Sequence, residues 1–228
     1  MQRKLSISDF LKTYGTILAA VVIILVFSIL RPKAFFTLTN LINISRQISL
    51  LVIVGIGATM IMVMDEFDLS LGSLASLGGI IGATLAVRGA SIPFSLLGAV
   101  LGCVLIGFIS GWLVTRFNVL SFITTLAMST IITGIIFWIT GGSTIFQGVP
   151  KSYRFLGTTS VLGVPLLTVI MLVLTVVFWF IMRHTTYGRK LYAIGGNQKA
   201  AQVSGINVKK MKVIAFSLCA GLSGLAGL

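Results

Sequence analysis

The sequence predicts an all-α integral membrane bundle, and three observations carry that prediction. Hydrophobic residues make up 57% of the 228 and charged residues only 9%, where a soluble domain carries about 25% charged residues. Mean hydropathy is +1.10. The charges are clumped, which leaves uncharged runs near the roughly 20 residues that cross the hydrocarbon core as a helix. A backbone in lipid must satisfy its own hydrogen bonds, and no barrel-type alternation is visible, so the runs read as helices.

Seven spans follow in order, at 15–30, 47–64, 70–87, 93–115, 119–140, 163–182 and 211–228. The first follows a basic start (Arg3, Lys4, Lys12) and resembles a signal peptide. Arg31, Pro32 and Lys33 stand where a small-residue cleavage site belongs, so it reads as an uncleaved span. Segment 31–46 holds Pro32, Asn40, Asn43 and Arg46 and predicts a loop with an interfacial helix. Segment 65–69 is a short acidic turn, and 89–93 a tight one. Segment 141–162 is a polar loop punctuated by Gly141, Gly142, Pro150 and Gly157, and 183–210 is the long polar stretch. The chain stops at Leu228 within an apolar, Gly-rich run, which reads as a truncated single transmembrane domain over 1–228.

The net charge of +13 would point to nucleic acid in a soluble protein. No arginine-aromatic platform lies outside the apolar runs, so nucleic acid is not expected as a partner, and the charge reads as topology. With the N-terminus inside, 11 of the 17 Lys and Arg fall on inner segments. That bias predicts a cytoplasmic N-terminus and a cytoplasmic 183–210 segment, with membrane lipid around the spans. Cys103 and Cys219 lie in apolar segments without CxxC spacing or a neighbouring His, and read as small buried hydrophobes. Gly98, Gly102, Gly107 and Gly111, then Gly221, Gly224 and Gly227, have the spacing that lets membrane helices approach closely.

No catalytic, metal or cofactor signature is present. There is no GxxxxGK[ST] and no HExxH. Gly221-Leu222-Ser223-Gly224 reads GxSG, but a serine nucleophile needs a nearby base, and the single histidine, His184, lies in the basic segment. Packing is the stronger reading. Every carboxylate except Asp9 falls in Asp65-Glu66-Phe67-Asp68. Asp68 or Ser70 is expected to cap the following span, a reading weighed above direct solute contact. A neutral polar solute needs hydrogen-bonding side chains, and Asn43, Gln47, Ser49 and Thr59 on or near the second span supply them. The candidate pathway set is therefore Asn43, Gln47, Asp68 and Ser70.

The 183–210 segment carries the strongest functional signal. It predicts a short polar helix over 198–204, capped by Asn197, stopped by Gly205, and bearing Ala200, Ala201 and Val203 as a small apolar stripe. Seven basic residues lie in 183–212 with no acid among them. A capped helix in a cytoplasmic segment offers a docking element: rigid shape, small apolar side chains and charges at the rim.

Three stretches carry a resemblance. They are Tyr192-Ala193-Ile194-Gly195-Gly196-Asn197 with Ala200-Ala201, Ser204-Gly205-Ile206-Asn207-Val208 and Cys219-Ala220-Gly221-Leu222; Asp68-Leu69-Ser70-Leu71-Gly72-Ser73; and, more weakly, Phe35-Phe36-Thr37-Leu38-Thr39-Asn40-Leu41. In order and spacing the chain resembles the permease subunit of bacterial sugar ABC importers. The resemblance implies a multi-pass plasma-membrane protein and two permease copies, alike or different, forming the pathway. It also implies a cytoplasmic ATP-binding subunit docked on 183–210 and an extracytoplasmic solute-binding protein. The coupling element would carry over onto Gly195, Gly196, Asn197, Ala200, Ala201, Ser204, Gly205 and Ile206. Family members have about ten spans, so the last ones would be missing here. Glu66 stands where the family usually has Gly, Leu71 where it has Val, and Gln198-Lys199 where it has a more acidic pair. Branched-chain amino acid and nucleoside permeases are alternatives. So is a self-sufficient ion-coupled carrier, although that class predicts intramembrane charges and inverted repeats, and neither stands out.

Overall fold

A computed structural model describes residues 7–228 apart from 146 and 162. The chain forms two compact units, residues up to 45 and residues 46–228.

In the first unit α1 (Ile7–Leu30) is followed after Arg31 by a single-turn helix, α2 (Pro32–Phe35), with Pro32 in its first turn. Proline suits that position because its missing N–H would have no intrahelical partner. Phe27 stacks on Phe35 with ring centroids 6.2 Å apart. Segment 31–46, expected as a loop with an interfacial helix, is mostly helical, because α3 (Leu38–Met62) opens nine residues before the predicted span. Its start is set by Thr37, whose Oγ1 accepts the Asn40 N–H at 3.2 Å. The Asn40 side chain donates to the Phe35 carbonyl at 2.9 Å. Asn40 thus fastens a helix start rather than marking a loop.

In the second unit the remainder of α3 is followed by α4 (Leu71–Val87), α5 (Ile92–Phe117) and α6 (Ser121–Thr140). A 3₁₀ turn (Lys151–Arg154), α7 (Phe155–Thr158) and a hairpin of β1 (Ser160–Val161) and β2 (Val164–Pro165) fill the polar segment. This minimal hairpin is a small departure from the all-α expectation. Then come α8 (Leu166–His184), α9 (Thr186–Gly196), α10 (Gln198–Val203) and α11 (Val208–Ala226).

Among the described residues four helices, α3, α5, α6 and α8, are long and apolar enough to cross a membrane, and 14–30 and α4 are shorter apolar helices. The seventh expected span corresponds to α11, which carries Lys209, Lys210 and Lys212 in its opening turns. Lys209 and Lys210 are exposed at the end of the helix, Lys212 is buried with a carboxylate partner, and beyond them α11 is lined by protein. Ala215, Phe216, Cys219, Ala220 and Ser223 are fully buried, and α4 and α5 pack on it.

The glycines act by close approach, as their spacing predicts. A Cβ at Gly107 would overlap the Phe216 carbonyl and the Ala220 side chain on α11, while Gly98 and Gly102 face Leu85 and Ile81 on α4. The two pairs on α5 therefore serve two different neighbours. Both cysteines are free and fully buried.

The second unit has two distinct ends. Turn 63–70, the α5–α6 link and 185–207 share one, where Phe67 bonds Ser121 and Lys212 meets Glu66. At the other, Gly148 lies against Val87. Eight Lys or Arg belong to the first end and four (Arg46, Arg88, Lys151, Arg154) to the second.

Candidate coupling face

The chain turns from α8 into α9 within one residue. Thr185 donates its hydroxyl to the Ile181 carbonyl at 2.6 Å and accepts the Gly188 N–H at 3.4 Å, closing one helix and capping the next. A side chain at Gly188 would overlap the Met182 backbone. α9 inserts Leu191 and Ile194 into a core cluster with Met60, Ile61 and Met64, and Gly195 lies against the Val63 carbonyl. The sequence reading placed the first helix of this segment at 198, so α9 is a correction. Of its three glycines, Gly188 and Gly195 are sites of close backbone contact inside a helix.

α10 matches the expectation closely. Asn197 Oδ1 accepts the Ala200 N–H at 3.0 Å, Ser204 Oγ donates to the Ala200 carbonyl at 2.9 Å, and Gly205 stops the helix with φ of +83°. Asn207 then caps α11 by accepting the Lys210 N–H at 3.0 Å. The predicted apolar stripe is divided. Ala201 is buried and Ile206 packs on the core, whereas Ala200 is exposed and Val203 is 90% exposed. Gly196 is exposed with open space around it.

The acidic turn lies beside this element. Glu66 pairs with Lys212, whose ammonium also donates to Gln198 Oε1 at 3.1 Å. The Phe67 N–H donates to Ser121 Oγ at 3.1 Å and the Leu69 N–H to Thr125 Oγ1 at 3.0 Å. Asp68 Oδ1 accepts from the Ser70 N–H at 2.8 Å and from Ser70 Oγ at 2.5 Å. Ser70 is the N-cap residue of α4, but its hydroxyl is held by Asp68 and makes no cap bond to the helix. The capping expectation is thus corrected: Asp68 organises the residue before the helix rather than its free N–H groups. Asp68 Oδ2 is buried without a partner among the described residues. Burial holds this carboxyl above its ordinary value of 3.8, against the lowering effect of the Ser70 bonds.

Within the second unit, the candidate pathway residue Gln47 lies apart from Asp68 and Ser70. Asn43, in the first unit, and Gln47, near the start of the second, are exposed on α3. Asp68 and Ser70 lie beyond the far end of that helix, which rises about 22 Å from Gln47 to Met62. Ser49 bonds Thr168 at 3.1 Å, and Thr59 donates to its own helix at Gly55. The sequence reading missed an open cavity of about 540 Å³ between the end of α5 and α10–α11, lined by Thr115, Asn118, Gln198, Gln202, Asn207 and Lys212. Asn118 lines it with φ of +56°, in the left-handed region that Asn enters more readily than most residues. The GxSG serine donates to Cys219 O at 2.9 Å within α11, while His184 stacks on Phe180 at the end of α8.

A family described as the branched-chain amino acid transport system permease component matches residues 40–228. The ribose import permease protein RbsC of Haemophilus influenzae is 37% identical, covering 97% of this chain and 69% of that protein. RbsC of Bacillus subtilis is 33% identical over 99% of this chain and 70% of its own length. The D-allose transport system permease protein AlsC of Escherichia coli is 33% identical over 95% and 67%. No solved structure matches. With the family match spanning the whole second unit and the ribose-type likeness spanning both, the chain belongs to the permease-component family of ABC importers, as a multi-pass membrane protein of the ribose-permease type.

Proposed function

We propose that this chain is the transmembrane subunit of an ATP-driven importer for a monosaccharide or sugar-like solute. The observation that carries the reading is α10, a helix capped at both ends and presented at the basic end of the bundle with Ala200 and Val203 outward. A cytoplasmic ATP-binding subunit docks there, with 195–206 as the coupling element. The basic bias of that end supports its cytoplasmic placement and a cytoplasmic N-terminus. Seven crossings are proposed, with α1, α4 and α11 completing the four longer helices within one transmembrane domain. A second permease copy forms the other wall, and an extracytoplasmic binding protein delivers the solute. The subunit carries no reaction chemistry; its part is to change state when its partner binds and hydrolyses ATP. The ribose and allose relatives favour sugar over a branched-chain amino acid.

The test is co-purification of the full-length permease with its ATP-binding subunit, with and without Asn197→Ala and Gly205→Val. Retention that falls with these substitutions while membrane insertion stays normal supports the reading. Undiminished retention overturns the docking assignment.

A further inference from the structure

Three separate segments meet at one ammonium group. Lys212, near the start of α11, is 8% exposed. It pairs with Glu66 from the turn after α3 and donates to the Gln198 side-chain oxygen of α10 at 3.1 Å. The Lys212 and Glu66 side chains are 10% and 13% exposed. Charges withdrawn this far from water depend on each other, and removing one strands the other. The turn that carries Glu66 is itself fastened, to α6 through Ser121 and Thr125 and to the start of α4 through Asp68 and Ser70. The Gln198–Lys212 hydrogen bond, the Lys212–Glu66 ion pair, the backbone of 66–70 and its bonds to Ser121, Thr125 and Ser70 therefore connect α10 to α4 and α6. Glu66 and Gln198 are also two of the positions at which the sequence departs from the pattern it resembles.

We propose that Lys212 is a positioning residue that links α10 to the α3–α4 junction, so that displacement of α10 moves turn 63–70 and with it the starts of α4 and α6. The proposal rests on reading α10 as the docking element. A desolvated, hydrogen-bonded ion pair favours a single relative placement of the two elements it joins. Apolar side chains alone would tolerate sliding. Gln198 is the limb that reaches α10. It is exposed, so it can be cut without stranding the ion pair.

The experiment uses the full-length permease with its ATP-binding subunit in proteoliposomes. An environment-sensitive fluorophore is attached at Val203→Cys on α10 or at Phe67→Cys in the turn; Cys103 and Cys219 are fully buried and stay unlabelled. A non-hydrolysable ATP analogue is the probe, so the solute need not be known. Both labels are expected to respond in the otherwise native complex. In Gln198→Leu the response at 67, taken relative to that at 203, should fall by about fivefold, the size of effect expected along a coupled network. Lys212→Met should do the same, and the exchange of Glu66→Lys with Lys212→Glu should recover most of the signal at 67. A purely scaffolding lysine would alter yield or both labels together. An undiminished response at 67 in Gln198→Leu overturns the proposal, even if the ion-pair variants fail to assemble. A native complex in which position 203 does not respond overturns the docking reading itself, and this proposal with it.

Discussion

Asp68 buries a carboxylate oxygen that no described residue bonds. Burial raises its pKa, so the fold favours the neutral acid. Its contribution to stability is therefore largest below the ordinary carboxylate range and is lost as pH rises through the folded value. Asp68→Asn keeps an oxygen for Ser70 and removes the charge. It is expected to raise the apparent melting temperature in detergent at neutral pH, by a margin that shrinks towards about pH 4. Asp68→Ala loses both bonds to Ser70 and should cost about 1–3 kcal/mol. Tyr187 offers a contrast. Its hydroxyl is also buried without a partner among the described residues, and burial pushes the phenol up to about 12. The phenol stays neutral throughout the usual working range, so Tyr187→Phe should stabilise by about 1 kcal/mol with no pH dependence. Thermal unfolding followed at several pH values checks both.

α9 and α10 share one polar stretch but are held by different forces. α9 is held by tertiary contact: Leu191 and Ile194 fill the core, and Gly195 permits the Val63 carbonyl to approach. A Cβ there would overlap that oxygen, so Gly195→Val should cost about 3 kcal/mol by overpacking, seen as early loss of α9 in hydrogen exchange. α10 is held locally, by Asn197 at one end and Gly205 at the other. A Cβ at Gly205 meets open space, so only its positive φ resists substitution. Gly205→Val is expected to cost about 1–2 kcal/mol, whereas Gly205→Asn should be tolerated, because Asn enters the left-handed region readily. ATP-binding subunit retention should follow the same order, Gly above Asn above Val. The reverse order would show that side-chain bulk at 205, rather than backbone shape, governs docking.

For the whole molecule, the second unit gathers eight basic residues at one end and four at the other. This asymmetry yields a prediction about sidedness. A cysteine introduced at Val203, which is 90% exposed, should resist an impermeant maleimide added to intact cells and react once the membrane is opened. Ser91→Cys, exposed at the opposite end, should react from outside. Inverted labelling would reverse the proposed orientation and remove α10 from the reach of a cytoplasmic partner.

The sequence by itself determined the membrane class, the positions of α4, α5, α6, α8 and α11 to within a few residues, and α10 with its cap and stop. Each depends on features local in the chain: uninterrupted apolar length, charge clustering, and an Asn and a Gly at the ends of a short polar run. Tertiary structure alone decided that the Gly-rich segment before α10 is a helix, because its glycines answer to Met182 and Val63, far from any local turn rule. It also decided that the lysine-bearing α11 is the buried centre of the second unit, and that Glu66 and Gln198 converge on Lys212 across 146 and 14 residues of chain. Periodicity shows which residues share a helix face. It cannot show which neighbour that face meets, since lipid and a protein interior are both apolar solvents for the same side chains.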